Sequence, residues 1–231
     1  MERVPEPELM EEKEQVISYD EADFSEGEVN LINQINRYLL RKNISLGEKD
    51  LIVDLGCGPG NISEKLAIKW PNTEVVGIDG SKEMILRAEY NKKISMNQKN
   101  LKNLRYICSD IKDIKLNKFF LQKEITLLVS NSLIHHITHL EDFFKTIKNL
   151  SNSMTINFHK DLKRPLNEKS AQKLKAQCSI KYNEILTNDY YASLRASYTF
   201  KELKDYTLEN DLSSLEVFED GDNYLIVYGN V

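Results

Sequence analysis

The sequence predicts an α/β fold in which a mostly parallel sheet is covered by helices on both faces. Five short strand-like runs recur between residues 51 and 158, and segments typical of helices or loops separate the first four of them. Such alternation is typical of parallel sheets. The continuous apolar run 125–129 indicates a strand that is buried on both faces. Two closing strands, joined by a hairpin signal, predict an antiparallel end to the sheet.

The elements follow in order along the chain. A helix is expected over 26–42, where apolar residues recur at helical spacing, and further helices are expected over 61–70 and about 200–210. The expected strands are 51–55, 74–79, 104–109, 125–130, 154–158, 215–218 and 224–228. Residues 160–198 read as a helical cap inserted before the closing strands, and 160–181 hold seven basic residues and two acids.

Composition indicates one globular domain after an acidic lead-in. The chain has 231 residues, of which 41% are hydrophobic and 29% charged, and its formal charge is −5. Residues 1–30 contain eleven acids against Arg3 and Lys13, which gives −9 there and +4 for the rest of the chain. Such a segment is expected to be solvated. We therefore expect a partly disordered lead-in over 1–25 and one domain over 26–231.

Composition also excludes several classes of protein. An acidic start is the reverse of a secretory signal, and no run approaches the roughly 20 apolar residues of a membrane span. Cys57, Cys108 and Cys178 are odd in number and far apart, which argues against a disulfide framework and against a zinc site. We expect a cytoplasmic protein that is a monomer or a homodimer.

A glycine-rich turn follows the first strand. Asp54 ends this strand, and Gly56, Gly58 and Gly60 stand at alternate positions directly after it. Glycines let a backbone come close to a nucleotide-like ligand, and the free N–H groups of the next helix lie beside the turn. The sequence therefore predicts a nucleotide-like ligand here.

Acidic and polar residues stand at the ends of the next three strands. Asp79 lies about 20 residues after the turn, where an acid can accept hydrogen bonds from ribose hydroxyls. Ser109 and Asp110 end the third strand, and Asn131 ends the fourth. Because the carboxyl ends of parallel strands open onto one crevice, these side chains are expected to share a site.

The motifs resemble those of the class I S-adenosylmethionine-dependent methyltransferases. The segment 54–60 matches the first family motif, 77–79 with Ser81 and Met84 resembles the second, and 109–110 the third. The resemblance covers about 50–160 and the closing strands. It implies a three-layer, Rossmann-like sheet of seven strands with a reversed last strand, S-adenosylmethionine as cofactor and S-adenosylhomocysteine as product. The cofactor-binding residues it implies are Tyr19, Asp54, Gly56, Cys57, Gly58, Gly60, Asp79, Gly80, Met84, Ser109, Asp110, Ile111 and Asn131.

Within this resemblance the residues have particular roles. Asp79 would hold the ribose, Met84 would pack on the adenine and Asp110 would face the adenine amine. Other interpretations stay open: Asp54 as a scaffold carboxylate, Asp79 and Asp110 as strand-end or N-cap residues, and Met84 as a core residue. A nicotinamide dinucleotide site is disfavoured, because G-x-G-x-x-G requires a glycine where Asn61 stands.

Histidines cluster after the fourth strand. A metal site built on His135, His136 or His139 would need a further ligand, and only Glu141 or Asp142 is near in sequence, so we expect no metal. His135 or His136 could instead be a general base that removes a proton from the attacking group, since histidine titrates near neutrality. A purely structural role is the alternative.

The predicted function is transfer of a methyl group to an O, N or C nucleophile of a small molecule by in-line displacement. The candidate acceptor-binding residues lie on the cap, namely Tyr190, Tyr191, Arg195 and Tyr198, with Tyr19 and Phe24 closing over the cofactor. A tyrosine cluster is also a common packing feature. Methyltransferases that act on the exocyclic amines of bases typically carry prolines after the residue at this strand end. No proline follows Asn131, so the resemblance disfavours that subclass.

Two other functions stay open. The basic run 160–181 could contact the phosphates of RNA, such as transfer RNA, although the negative net charge argues against a nucleic-acid partner. Alternatively, the protein could bind the methyl donor without catalysing transfer, as a regulatory subunit.

Overall fold

The fold is a twisted sheet between two layers of helices. The computed structural model describes residues 1–7, 9–96, 99–114, 119–120 and 123–231. Within them the sheet has seven strands in the order β3-β2-β1-β4-β5-β7-β6, in which β7 runs antiparallel to both of its neighbours and the other pairs are parallel. The strands are β1 (Leu51–Leu55), β2 (Glu74–Asp79), β3 (Leu104–Cys108), β4 (Leu127–Asn131), β5 (Ile156–Leu162), β6 (Leu215–Asp220) and β7 (Tyr224–Gly229). The predicted class and the reversed last strand are confirmed.

Helices cover both faces of this sheet. Those in the described residues are α1 (Lys13–Asp20), α2 (Ser25–Arg41), α3 (Asn61–Lys69), α4 (Lys82–Ser95), α5 (Leu140–Leu150), α6 (Glu168–Lys181), α7 (Glu184–Ala196) and α8 (Phe200–Glu209). A short 3₁₀ turn, Ile134–His136, follows β4. Among the described residues, no helix has both the length and the apolar character that crossing a bilayer would require.

Alternate residues of β1 supply two separate cores, which explains why the whole strand is apolar. Val53 and Leu55 pack into the core under α5 and α8, whereas Ile52 packs into the core under α2 and α3. All three are fully buried. Each such side chain contributes about 1.5–3 kcal/mol through burial. These two cores hold the strand ends, and the turns that follow them, in fixed positions.

The fifth strand ends later than the sequence predicts, at Leu162 instead of residue 158, so the cap begins after Leu162. The difference arises because His159, Lys160 and Asp161 are polar and yet buried in the strand. Each has a partner inside the fold, which is the condition for burying polar groups. An apolar pattern cannot reveal such partners.

Part of the acidic lead-in packs across the carboxyl edge of the sheet. We call residues 1–7 and 9–12 the N-terminal strap; Glu8 lies outside the described residues. The Arg3 guanidinium donates to the carbonyls of Ala196 (2.5 Å), Thr138 (3.0 Å) and Ile137 (2.9 Å), and it lies 4.0 Å from the centre of the Tyr198 ring. The strap is thereby joined to both the 3₁₀ turn region and the cap.

Acid is expected to destabilise the protein partly through His159. This ring is fully buried between Ser130 Oγ (2.9 Å from Nδ1) and Asn157 Oδ1 (3.3 Å from Nε2), and burial lowers its pKa to about 3. Between pH 6.5 and 3 the unfolded chain therefore binds one more proton at this residue than the folded chain. The free energy of unfolding should fall by about 2 kcal/mol from pH 7.5 to pH 5 through His159 alone.

Urea unfolding of the wild type and of His159→Gln at both pH values measures this contribution. The variant removes the titrating group, so its stability should fall by about 2 kcal/mol less over the same interval. Equal pH dependence in the two proteins would contradict a neutral, buried His159.

Candidate active site

The turn between β1 and α3 bends back over the sheet edge. Gly56, Gly58 and Gly60 all have positive φ, at 64°, 53° and 93°. A Cβ on Gly56 would lie 2.6 Å from Leu133 Cδ1, and one on Gly60 would lie 2.2 Å from the Tyr106 hydroxyl oxygen. Both the backbone conformation and the space therefore require glycine at these two positions.

Hydrogen bonds attach this turn to the end of β2. The Cys57 N–H donates to the Ile78 carbonyl at 2.9 Å. The Gly58 N–H donates to Asp79 Oδ2 at 2.9 Å, and the Ser81 N–H donates to Oδ1 at 2.8 Å. Burial raises the pKa of Asp79, and the two backbone hydrogen bonds oppose that rise. The carboxylate is thus oriented under the turn, and each oxygen keeps a second lone pair for a ligand.

The Asp54 side chain links β1 to α3. Its side chain is 1% exposed, and it accepts a hydrogen bond of 2.6 Å from Ser63 Oγ. Burial raises the pKa of Asp54 to about 7, although the hydrogen bond from Ser63 lowers it. Asp54 therefore makes the contacts of a scaffold carboxylate. This is one of the two roles that the sequence leaves open for it, and the other is cofactor binding.

The end of β3 brings the next predicted residues to the same edge. The Ser109 N–H donates to the Asp79 carbonyl at 2.9 Å, and Asp110 Oδ1 accepts from the Lys112 N–H at 2.8 Å. Ile111 is buried beside them, and Met84 is buried with its sulfur 4.0 Å from where a Cβ on Gly58 would lie. The glycine turn, the β2 acid and the β3 acid therefore share one crevice.

The N-terminal strap lies against this crevice. A Cβ on Gly80 would lie 2.7 Å from Leu9 Cδ2, so Leu9 can pack this closely only because residue 80 is a glycine. Ser81 Oγ donates to the Met10 carbonyl at 2.6 Å. The segment that composition marks as solvated thus covers the residues expected to hold the adenosine.

The end of β4 leads into the histidine cluster. Asn131 pairs in register with Lys160 of β5, and its amide donates to Ser132 Oγ at 3.4 Å. Ser132 has a φ of 57°, so the chain turns sharply here into the 3₁₀ turn. Asn131 therefore lies at the edge where the sequence predicts it.

Asp161 holds His135 in a fixed orientation. Asp161 Oδ2 accepts from the Ile134 N–H at 2.5 Å, and Oδ1 lies 2.5 Å from His135 Nδ1. Burial lowers the pKa of His135, but the Asp161 and Glu6 carboxylates together outweigh burial and the net shift is upward. Sequence reasoning missed Asp161. The alternation of polar residues at 157, 159 and 161 along one face of β5 is the signal that could have found it.

Glu6 of the strap faces both histidines. Its Oε1 lies 3.5 Å from His135 Nε2 and 3.4 Å from His136 Nδ1, and its Oε2 accepts from Ser193 Oγ at 3.4 Å. Burial raises the pKa of Glu6 to about 7 and lowers that of His136 to about 3. The carboxylate beside the histidines is therefore Glu6 and not Glu141 or Asp142. His139 is exposed at the start of α5.

A family model described as a methyltransferase domain matches residues 46–203. This stretch contains the glycine turn, the acids that follow β2 and β3, and most of the cap. The chain belongs to the methyltransferase-domain family. The resemblance to the class I S-adenosylmethionine-dependent methyltransferases is confirmed.

Curated relatives match over short stretches. The trans-aconitate 2-methyltransferase of Azoarcus sp. (strain BH72) is 45% identical over 49 residues, which are 21% of this chain and 19% of that relative. The malonyl-[acyl-carrier protein] O-methyltransferase of Bacillus anthracis is 26% identical over 117 residues, 51% of this chain and 38% of that relative. The matched stretches thus span well under half of these relatives.

Solved structures match over nearly the whole chain. The plantazolicin methyltransferase BpumL, in complex with a triazolic desmethylPZN analog and SAH, has a TM-score of 0.69 and 17% identity, with 95% of this chain and 91% of that chain covered. A SAM-dependent methyltransferase from Aquifex aeolicus has a TM-score of 0.64 and 16% identity, with 95% and 98% covered. These likenesses confirm the Rossmann-like fold.

In this methyltransferase-family chain, the four candidate acceptor-binding residues of the cap do not lie together. The Tyr198 hydroxyl donates to the Ile137 carbonyl at 2.9 Å, and Tyr191 lies on the outer side of the cap, where its hydroxyl contacts Glu168 of α6. Arg195 lies near the Tyr191 ring, at 5.8 Å from its centre. Successive helical residues point about 100° apart, so Tyr190 and Tyr191 point in different directions.

Tyr190 faces inward with other tyrosines. Burial raises the pKa of Tyr190 and of Tyr19. Tyr19 packs on Phe24, with ring centres 5.0 Å apart. Lys160 Nζ lies 4.7 Å from the centre of the Tyr224 ring. Tyr224 and Lys160, which sequence reasoning missed, thus contact each other where β5 pairs with β7.

Ion pairs engage part of the basic run 160–181. Three of its cations, Lys160, Lys163 and Arg164, pair with acids of the domain at 2.6, 3.2 and 2.5 Å. Lys160 and Arg164 are also buried. The run therefore presents less free positive charge than its composition indicates.

Proposed function

We propose that this methyltransferase-family protein binds S-adenosylmethionine in the crevice at the carboxyl edge of the sheet and transfers its methyl group to a small molecule. The observation that carries the proposal is the hydrogen bond from the Gly58 N–H to Asp79. It joins the glycine turn to the residue that is predicted to bind the ribose. Asp110 lies at the next strand end, where the adenine amine is expected.

The covered crevice supports a small acceptor. The strap packs across the carboxyl edge and contacts the cap, and we place the acceptor in a chamber between Tyr19, Tyr190 and Tyr224, beside Lys160. Such a concave, partly apolar site with a few polar groups is typical of small-molecule sites. The internal ion pairs of the basic run argue against an RNA acceptor.

Catalysis by positioning fits this architecture. The sulfonium methyl is already electrophilic, so the protein has mainly to align the acceptor O, N or C atom with it. Alignment alone can supply roughly 7–11 kcal/mol. A general-base role for His135 or His136 stays a prediction. The Glu6 carboxylate lies next to the ring nitrogens of both histidines that face the strap.

A panel of acceptors tests the proposal. Release of S-adenosylhomocysteine would be followed with small carboxylic acids (trans-aconitate and malonyl thioesters among them), phenols, amines and unmodified transfer RNA. We expect turnover with a small acceptor that changes little with salt. Turnover with transfer RNA only, suppressed by salt, or tight donor binding without any turnover, would contradict the proposal.

Two tyrosine variants test the acceptor chamber. Tyr190→Phe removes an inward-facing hydroxyl, and we expect KM for the acceptor to rise about 3- to 10-fold, as loss of one hydrogen bond predicts. Tyr191→Phe removes a hydroxyl bonded to Glu168 on the outer surface and serves as the matched control, with unchanged KM. Equal effects of the two variants would remove Tyr190 from the acceptor site.

A further inference from the structure

We propose that Glu6, His135 and His136 form a binding site for one divalent transition-metal ion, with Zn²⁺ the ion that best fits the donor set. Their ligating atoms lie within 4.8 Å of one another. The cluster joins the strap to the 3₁₀ turn, outside the residues proposed to bind the methyl donor. It does not depend on the identity of the acceptor.

The spacing of the three side chains suits such an ion. Glu6 Oε1 lies 3.5 Å from His135 Nε2 and 3.4 Å from His136 Nδ1. A tetrahedral zinc ion with bonds of about 2.0–2.1 Å holds neighbouring ligand atoms about 3.4 Å apart. These two separations match those around a bound zinc ion, which would displace the 3.4 Å contact between His136 Nδ1 and the Pro7 carbonyl.

The electrostatics of the cluster call for a cation. Among the described residues Glu6 Oε1 is buried and has no hydrogen-bond partner. His135 Nδ1 is directed at Asp161, so Nε2 is the ring nitrogen that faces this oxygen, at 3.5 Å. A divalent ion can take the place of a proton between these two atoms, because it binds a lone pair of each.

Neighbouring groups already orient the ligands. Asp161 accepts from His135 Nδ1 at 2.5 Å, which is the carboxylate–histidine arrangement that directs an imidazole towards a metal. Ser193 Oγ lies 3.4 Å from Glu6 Oε2, on the other side of that carboxylate. Two of the three proposed ligands, His135 and Glu6, are thus held by contacts that do not involve the ion.

The donor types select the class of ion. Two imidazole nitrogens and one carboxylate oxygen are donors that zinc accepts, whereas Mg²⁺ and Ca²⁺ prefer oxygen ligands throughout. Three protein ligands leave a fourth position for water. Because Glu6 belongs to the strap, the ion would also fasten the strap across Gly80 and Ser81 and so close the donor crevice.

Zinc binding to the untagged full chain tests the proposal. The chelator-treated protein would be titrated with Zn²⁺ against a fluorescent zinc chelator, with Mg²⁺ in a parallel titration and without methyl donor. We expect one equivalent of Zn²⁺ and no Mg²⁺. Glu6→Gln and His136→Ala should each weaken Zn²⁺ binding by at least about 100-fold, and Asp161→Asn by about 10- to 100-fold.

His139→Ala is the matched control, because His139 is a nearby histidine outside the cluster and should leave zinc affinity unchanged. Thermal melting monitors folding, and Glu6→Gln, a substitution of nearly equal shape, keeps the test valid if His136→Ala unfolds. Absence of stoichiometric Zn²⁺ binding, or equal affinity in the wild type and Glu6→Gln, would overturn the site.

Discussion

Replacing Asp79 by asparagine is expected to lower affinity for S-adenosylmethionine by about 100-fold or more while the fold is kept. The carboxylate lies under the glycine turn, oriented by the Gly58 and Ser81 N–H groups at 2.9 and 2.8 Å. Charge-assisted hydrogen bonds to two ribose hydroxyls are each worth about 1.5–3 kcal/mol, and every 1.4 kcal/mol is about tenfold in affinity. Titration calorimetry of the purified variant measures the loss.

Asp50→Asn is the matched control for this experiment. Asp50 also accepts a backbone N–H, from Gly47 at 2.7 Å, and a hydroxyl, from Thr126 at 2.8 Å, but it stands just before β1 at the opposite edge of the sheet. Its substitution should leave donor affinity unchanged. Donor affinity of Asp79→Asn within about threefold of the wild type would remove Asp79 from the ribose site.

Gly60→Ala is expected to cost about 2–5 kcal/mol of folding stability and to abolish donor binding. A residue with a Cβ in the left-handed region costs about 1–2 kcal/mol. The new Cβ would also lie 2.2 Å from the Tyr106 hydroxyl oxygen, and such overpacking typically costs a further 1–3 kcal/mol or so. A shift of the turn to relieve this contact would move the Gly58 N–H away from Asp79.

Gly221→Ala separates these two causes. Gly221 also has a positive φ, of 66°, but no atom lies within 4 Å of its added Cβ. It stands in the hairpin between β6 and β7, and its substitution should cost only the backbone component, about 1–2 kcal/mol. Urea unfolding of both variants gives the comparison, and equal losses would contradict tight packing around Gly60.

Much of the fold could be predicted from local patterns. Runs such as 51–55 and 74–79 are apolar because each strand supplies two cores, so they match β1 and β2 residue for residue. The end of β5 could not be predicted in this way. His159, Lys160 and Asp161 are buried only because Ser130, Asp220 and His135 satisfy them across the structure, and such pairings do not show in a local pattern.

The candidate site likewise has one part that local patterns predict and one part that they do not. The glycine turn, Asp79 and Asp110 follow one another at strand ends, and strand order alone brings them to one edge. Glu6 meets His135 from 129 residues away in the chain, through a strap anchored by Arg3. The acidic composition of residues 1–30 indicates a solvated segment and carries no sign of that anchor. Long-range contacts of this kind require the three-dimensional structure.

The most direct test of the central claim is titration calorimetry of the full chain with S-adenosylhomocysteine and, separately, with NAD⁺. The account predicts one S-adenosylhomocysteine per chain, with affinity lost in Asp79→Asn, and no heat of binding for NAD⁺. Binding of NAD⁺ in place of S-adenosylhomocysteine, or binding of neither, would contradict a methyl-donor site at the glycine turn.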